Sequence, residues 1–474
     1  MNESLDIVRK RALDVFERQR ANRLSVNSSS VEQRLSKLHR LHEAIESHLD
    51  ELKQACYEDL GKQGPETLIT ELYPITTEIK FALRHLREWM EPETVGAPIV
   101  FAGSRGEIRR VPKGVVLIVS PWNYPFNLTM GPLVSAIAAG NSAIVKPSEF
   151  SPQTSRLIKK LVSGLFDEKE VVVVEGDHQV AQYLVELPFD HIFFTGNPII
   201  GRKVMAAGAR HLTSVSLELG GKSPVIIDAG ANLEEAATKI TWGKTINAGQ
   251  SCVAPDYILV PKEKETHFIE LLKASLRKRY GSLDRLVDNP DYSRIINLTH
   301  FRRIKNLVDS AVEEGARIEE GGTFLEEERF ISPTIVSRPP RTCSLMQEEI
   351  FGPVLPVLSY ENLREAIEFV NRQPPPLALY VFGRSDAAIE TILKDTRSGD
   401  AVINDVVVHF GHVRLPFGGT GNSGLGKAHG RAGFDAFSHR RSVLRQPKHT
   451  MARWLYPPYT RLVRSLIRFT IKYL

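Results

Sequence analysis

The sequence predicts an α/β protein built on a parallel sheet covered by helices on both faces, and three observations carry that prediction. Short runs rich in Val and Ile recur at residues 115–119, 143–145, 171–174, 191–194 and 215–217. Helical stretches fall between them at 154–165, 180–185 and 201–209. A strand–helix alternation repeating every roughly 25 residues requires crossover connections, and these place helices on both faces of a parallel sheet. The third observation is the length, 474 residues, which exceeds what one hydrophobic core holds and so implies two or more domains.

The other elements follow in chain order. The first thirty residues mix charge with apolar residues (Arg9, Lys10, Arg11, Glu17, Arg18, Arg20) and contain no apolar core of signal-peptide length. In residues 31–59, Leu35, Leu38, Leu41, Ile45, Leu49 and Leu52 recur at three- and four-residue steps, which predicts one amphipathic helix capped by the Asn27–Ser30 region. A second helical stretch spans 66–90, and the two read as a packed pair without chemistry of their own. A second α/β region opens at Lys222, with strands at 225–227, 257–260 and 379–382. A β-rich run at 401–408 and a Gly-rich loop at 418–426 follow.

Composition excludes several classes. Hydrophobic residues are 42% and charged residues 25%, as in an ordinary folded protein. The net charge of +5, from 61 basic and 56 acidic residues, is too small to argue for nucleic acid as a partner. Three widely spaced cysteines, Cys56, Cys252 and Cys343, make neither a disulfide framework nor a metal site, and a reducing, cytoplasmic compartment fits them. No window approaches the ~18 uninterrupted apolar residues of a membrane span.

Five motifs can carry chemistry. Cys252 ends the turn Asn247-Ala248-Gly249-Gln250-Ser251-Cys252, where small residues can expose a thiol beside backbone N–H groups. A thiolate attacks carbonyl carbon readily, but a free thiol (pKa ~8.5) needs activation, and a lone cysteine more often simply packs. Glu218, in Leu217-Glu218-Leu219-Gly220-Gly221-Lys222, ends a strand between leucines. Apolar surroundings raise a carboxyl pKa toward the range of a general base, although a locally hydrogen-bonded glutamate is the plainer alternative. Asn123, in Ser120-Pro121-Trp122-Asn123-Tyr124-Pro125, follows the 115–119 strand, and its amide can donate to an oxyanion or merely close a turn. Lys146-Pro147-Ser148-Glu149 lies where ribose hydroxyls are bound in open sheets. Thr195-Gly196-Asn197-Pro198-Ile199-Ile200-Gly201 offers a glycine turn at a helix start, yet matches neither GxGxxG nor the P-loop.

Taken in order and spacing, Asn123, Lys146, Gly196, Gly201, Glu218 and Cys252 resemble the aldehyde dehydrogenase superfamily. Glu348-Glu349-Ile350-Phe351-Gly352-Pro353 and Pro416-Phe417-Gly418-Gly419 extend the match, which covers residues 30–445. Ala254-Pro255-Asp256-Tyr257, Asn404-Asp405-Val406, Phe434-Asp435-Ala436-Phe437-Ser438-His439 and Tyr456-Pro457-Pro458-Tyr459 look like the class 3 and fatty aldehyde branch. The resemblance implies an α/β fold in parts. A Rossmann-like cofactor domain spans 1–97 and 114–219, and a catalytic domain spans 220–416. A β-ribbon for oligomerisation, with a substrate-pocket loop, spans 98–113 and 417–450, its strands drawn from 105–112 and 430–446. It implies oxidation of an aldehyde to an acid, with Cys252 as nucleophile, Asn123 as oxyanion donor and Glu218 as the base that hydrolyses a thioester. Cofactor contacts are implied for Trp122, Lys146, Glu149, Thr195, Gly196, Gly201, Leu219, Gly220, Glu349 and Phe351, with NAD preferred over NADP because Glu149 repels a 2′-phosphate. Tyr124, Phe410 and Phe417 are expected to wall the substrate pocket, His429 and His439 to be structural, no metal to be bound, and the branch to be dimeric.

The chain ends in a basic amphipathic helix within residues 451–474. Leu462, Val463, Leu466, Ile467, Ile471 and Leu474 share one face, and Arg461, Arg464, Arg468 and Lys472 the other. Such a helix either lies on an anionic membrane or docks on the body and gates the substrate entrance. Medium- to long-chain aliphatic aldehydes are the first expectation for substrate, aromatic aldehydes the second. The rival readings are a cofactor-independent thiol esterase using Cys252 and Glu218, and a catalytically silent scaffold of the same fold.

Overall fold

A computed structural model describes residues 5–98, 101–448 and 456–473. Its first sheet has six strands in the order Gly424–Leu425, Ser214–Glu218, His191–Thr195, Val115–Val119, Ser142–Lys146, Val171–Val173. All pairs are parallel except the first. The chain builds outward from Val115–Val119 in one direction and then returns to build in the other. The strand order therefore reverses beside Val115–Val119, and the carboxyl ends there frame a crevice of the kind that binds ligands in open α/β sheets.

Every residue of Val115–Val119 and Ser142–Lys146 is buried, because both faces are covered. Val116 and Ile118 join a core with helices Val31–Ser47, Tyr73–Met90, Asn127–Ala139 and Pro152–Leu165. Val115, Leu117 and Val119 face the opposite core, shared with helix Leu5–Asn27. That first helix was hidden by its charges. Ala12, Val15, Phe16, Gln19 and Val26 form its buried stripe, Phe16 packs edge-on against Phe189 at 4.8 Å, and the Gln19 amide donates to the Ala143 and Glu168 carbonyls.

Two helical expectations need correction. The 31–59 stretch is broken at His48 into Val31–Ser47 and Leu49–Leu60, the first opened by a reciprocal capping box between Ser30 and Gln33. The 66–90 stretch contains a π turn, Leu68–Leu72, between Gly64–Thr67 and Tyr73–Met90.

The second sheet has seven strands in the order Arg317–Glu320, Thr334–Ser337, Val354–Tyr360, Tyr257–Pro261, Pro224–Ile227, Ala378–Phe382, Asp400–Ile403, parallel except for Arg317–Glu320. The predicted β run at 401–408 stops at Ile403, because Asn404 (φ 56°) and Val407 (φ 66°) take left-handed conformations that no strand contains. A third, three-stranded antiparallel sheet joins Glu93–Val95, Arg105–Pro112 and Ser438–Arg445. Of the segment predicted as its last strand, Gly430–Ala436 is helical and pairing begins only at Ser438. The loop region placed with this ribbon also returns strand Gly424–Leu425 to the first sheet.

Phe437 anchors the ribbon to the first sheet. It is fully buried, stacks on Phe193 at 5.6 Å and meets the edge of His191 at 5.2 Å. Phe437→Ala is expected to cost about 3–5 kcal/mol, the usual range for emptying such a site, seen as a lowered urea midpoint. An unchanged midpoint would show that the ribbon is fastened elsewhere.

Candidate active site

Cys252 is presented by an unusual turn. After helix Leu233–Thr245, Asn247 (φ 51°), Ala248 (φ 50°) and Gly249 (φ 72°) are left-handed in succession. A Cβ on Gly249 would lie 2.3 Å from the Gly352 carbonyl oxygen, so only glycine fits. Strained backbone of this kind persists where surroundings over-determine it. The turn leaves Cys252 half-buried, whereas Cys56 and Cys343 are buried.

Asn123 is tied to the same turn. Its Nδ2 donates to the Gln250 carbonyl at 3.1 Å, and its own carbonyl accepts from Asn247 Nδ2 at 2.8 Å and Lys62 Nζ at 3.3 Å. The Gln250 side chain is fixed in turn by the Asn247 and Arg294 carbonyls and the Ile296 N–H. One N–H of the Asn123 amide is thus engaged, and the group carries a second.

Two carboxylates face this region with oxygens that no donor satisfies. Both Oε atoms of Glu218 and one of Glu349 are buried without a hydrogen-bond partner. Burial drives the Glu218 carboxyl well above its ordinary range, with Lys427 opposing and Asp400 adding to the rise. Burial and then Asp256 push Glu349 up to about 8. Gly220 makes room for Glu349, since a Cβ there would sit 2.3 Å from Oε2. The Cys252 thiol is pushed up to about 12 by burial and then by Glu349 and Glu218, while the Cys252 and Val253 backbone N–H groups draw it down. The resting sulfur is therefore a protonated thiol.

Two cavities meet at Cys252, and a third lies at other strand ends of the first sheet. One of about 350 Å³ reaches Cys252 between Tyr124, Trp242, Val408 and Phe410, with Ile69 and Tyr73 exposed along it. A second touches Cys252, Glu218, Thr195 and Phe417, with Glu78 and His429 at its far side. His429 stacks on Phe417 at 5.1 Å, and burial lowers its pKa to about 4, so it serves there as a neutral ring. The third cavity, about 640 Å³, lies at the carboxyl ends of strands Ser142–Lys146 and Val171–Val173, walled by Ser148, Glu149, Asp177 and, from the first helix, Leu5 and Arg11. Lys146 Nζ bonds Glu149 Oε2 at 2.7 Å and the Pro147 carbonyl at 2.9 Å.

The structure shows what the glycine turn needs locally. The Gly196 N–H is committed to the Glu218 carbonyl and that of Gly201 to Asn197. What the glycines supply is space. A Cβ on Gly196 would meet the Phe194 ring at 2.6 Å, and one on Gly201 would meet Leu219 Cδ2 at 2.7 Å. Trp122 contacts Phe351 edge-on at 5.4 Å and the ring of His300 at 5.0 Å, a cluster in which His300 was not foreseen. Lys62, Glu66 and Glu71 were also missed, the glutamates because their segment read as helix packing and Lys62 because it lies between the two helical stretches. Among the described residues, no group of three or more His, Cys, Asp or Glu side chains is placed to hold a metal ion.

Comparison with known proteins identifies the family. Residues 8–443 match the model of the aldehyde dehydrogenase family. The chain is 42% identical to the 4,4′-diaponeurosporen-aldehyde dehydrogenase of Staphylococcus aureus, over 90% of this chain and 92% of that protein. It is 41% identical to aldehyde dehydrogenase family 3 member A2 of Pongo abelii, over 92% and 89%. The solved substrate-bound state of Staphylococcus aureus AldH superposes with a TM-score of 0.92 at 39% identity, over 96% and 99%. The chain belongs to the aldehyde dehydrogenase family. Its likeness to family 3 members bears out the class 3 resemblance, and it is an enzyme that oxidises an aldehyde to the acid with a nicotinamide dinucleotide, NAD or NADP.

A thiol held up by two carboxylates has a readable signature. Iodoacetamide should alkylate Cys252 slowly at pH 7, with the rate still climbing at pH 9. Glu349→Gln removes one of the charges that raise the thiol and should accelerate alkylation at pH 8. A rate that levels off near neutrality would show an activated resting thiolate instead.

Proposed function

We propose that Cys252 is the nucleophile of this oxidation, Asn123 its oxyanion donor and Glu218 its general base. The observation that carries the reading is the meeting of a half-buried thiol with the wholly unpartnered carboxyl of Glu218 in one cavity, which shares Cys252 with the 350 Å³ cavity. Glu349, once ionised, is the group placed to take the thiol proton, which leaves Glu218 free to act as base in the later step. The sulfur bonds to the aldehyde carbon as the carbonyl electron pair moves to oxygen, which the Asn123 amide and the Cys252 N–H receive. When bound, a nicotinamide dinucleotide supplies the two-electron acceptor. Oxidation leaves an acyl group on sulfur as a thioester. Ionised Glu218 then draws a proton from water as its oxygen adds to the acyl carbon, the C–S bond breaks and the acid departs.

The residues present suit that cofactor. Glu349, with its unpartnered oxygen, would take the nicotinamide ribose, and Phe351 with Trp122 would border the ring. Glu149 and Lys146 would meet the adenosine ribose beside the 640 Å³ cavity. Thr195, Gly196, Gly201, Leu219 and Gly220 would line the path between. NAD is the preferred form and NADP the second, since Glu149 is negative and Lys146 is already neutralised by it at 2.7 Å.

The apolar walls of the 350 Å³ cavity, with Tyr124 and Phe410 and with Phe417 behind them, favour medium- to long-chain aliphatic aldehydes over aromatic ones. Ser438–Arg445 is an edge strand of the ribbon, open to pairing with a second copy, which supports a homodimer. Among the described residues no helix is long and apolar enough to cross a membrane. Helix Arg461–Tyr473 instead exposes Leu462, Leu466, Phe469 and Ile471 beside Arg461, Arg464, Arg468 and Lys472, and Leu474 lies outside the described residues. We assign it to peripheral association with an anionic membrane, on the cytoplasmic face.

Cys252→Ala should abolish aldehyde-dependent NADH formation. Glu218→Gln should keep a burst of about one NADH per site, with steady turnover down about 10²–10⁴-fold, the usual worth of a general base. The wild-type rate should rise with pH above the ordinary carboxylate range as Glu218 ionises, and Glu218→Gln should lose that limb. A Cys252→Ala enzyme with full activity would end this reading. Deletion of residues 460–474 should lower activity on long-chain aldehydes at anionic vesicles more than on short ones, and an equal loss at every chain length would remove the membrane role.

A further inference from the structure

Beneath Asn123 lies an ion pair entirely shut off from water. Helix Leu49–Leu60 ends at Gly61, whose left-handed φ of 65° turns the chain inward. The next side chain, Lys62, therefore enters the interior and is 0% exposed. Its Nζ lies 2.6 Å from Glu71 Oε1, donates to the Asn123 carbonyl at 3.3 Å, and sits 4.5 Å from the centroid of the Tyr124 ring. A carboxylate, a carbonyl and an aromatic face thus surround the ammonium.

Glu71 is equally buried and comes from the π turn Leu68–Leu72, a distortion that re-aims side chains and recurs at functional sites. Its second oxygen accepts the Asn127 N–H at 2.9 Å, while the Asn127 side chain donates to the Thr70 carbonyl at 3.0 Å. The pair therefore grips residues 123–127 at both ends. An ion pair removed from water seldom stabilises a fold more than apolar side chains of the same volume would. What this one supplies is direction, fixed to a segment whose first member is the oxyanion residue.

We propose that Lys62 and Glu71 are positioning residues, holding Asn123 in the register from which its amide receives the oxyanion formed at Cys252. This rests on the roles of Asn123 and Cys252 given above. Asn247 Nδ2 holds the same carbonyl at 2.8 Å, so losing the pair loosens Asn123 without freeing it.

The test is a double-mutant cycle in the full chain. Lys62→Met with Glu71→Gln removes both charges and keeps an acceptor for the Asn127 N–H. It should lower kcat/KM for aldehyde about tenfold when Asn123 is present and less than about twofold when Asn123 is Ala, because interacting sites are not additive. NADH affinity, read by fluorescence, should not change. Glu71→Gln alone should give a smaller loss with the same dependence on Asn123, and it supplies the cycle if the double replacement binds no NADH. Equal losses in both backgrounds overturn the proposal and leave the mechanism standing. An Asn123→Ala enzyme with unimpaired kcat/KM overturns the oxyanion role itself, and the proposal with it.

Discussion

The hydrogen bond from the Asn123 amide to the Gln250 carbonyl joins the two halves of the molecule two residues from the Cys252 thiol. One partner stands on the loop leaving the central strand of the first sheet. The other stands two residues before the thiol, in a turn that belongs to the second sheet. Neither sheet alone could set the distance between amide and sulfur. The left-handed run from Asn247 to Gly249 exists to make this meeting, and the Asn247 side chain closes the loop by returning to the Asn123 carbonyl.

Around that junction the fold tolerates expense. Carboxyl groups buried without donors would normally be neutralised or removed, because burial of an unpaired charge is costly. Here the cost is expressed as raised pKa values at Glu218 and Glu349. The same burial keeps the thiol protonated. Large, dry cores on both faces of each sheet carry the stability that the site forgoes.

Much of this was legible in the sequence, and the reasons differ by element. The strands of the first sheet could be read because both faces are buried and their Val–Ile runs are continuous. Motifs at strand ends could be read because open sheets put ligands there, and the structure brings Asn123, Glu218, Glu349 and Cys252 into one region. Helix Leu5–Asn27 escaped notice because its buried stripe is small and includes Gln19. Lys62 escaped because it lies between the two stretches read as helix, and Glu71 because a glutamate in a helical segment normally marks a solvated face. Their burial depends on the turn at Gly61 and on the π distortion, which no periodicity encodes. The purpose of Gly196 and Gly201 was also invisible, since the crowding by Phe194 and Leu219 that demands them is tertiary.

The helix that begins the described chain forms one wall of the 640 Å³ cleft, through Leu5 and Arg11. Its hold on the body comes from a narrow apolar stripe and from Gln19. A ligand settling in that cleft therefore presses on the amino-terminal segment as well as on the sheet. Filling the groove and tightening the hold on that helix are therefore coupled, and its susceptibility to trimming by proteases becomes a gauge of occupancy.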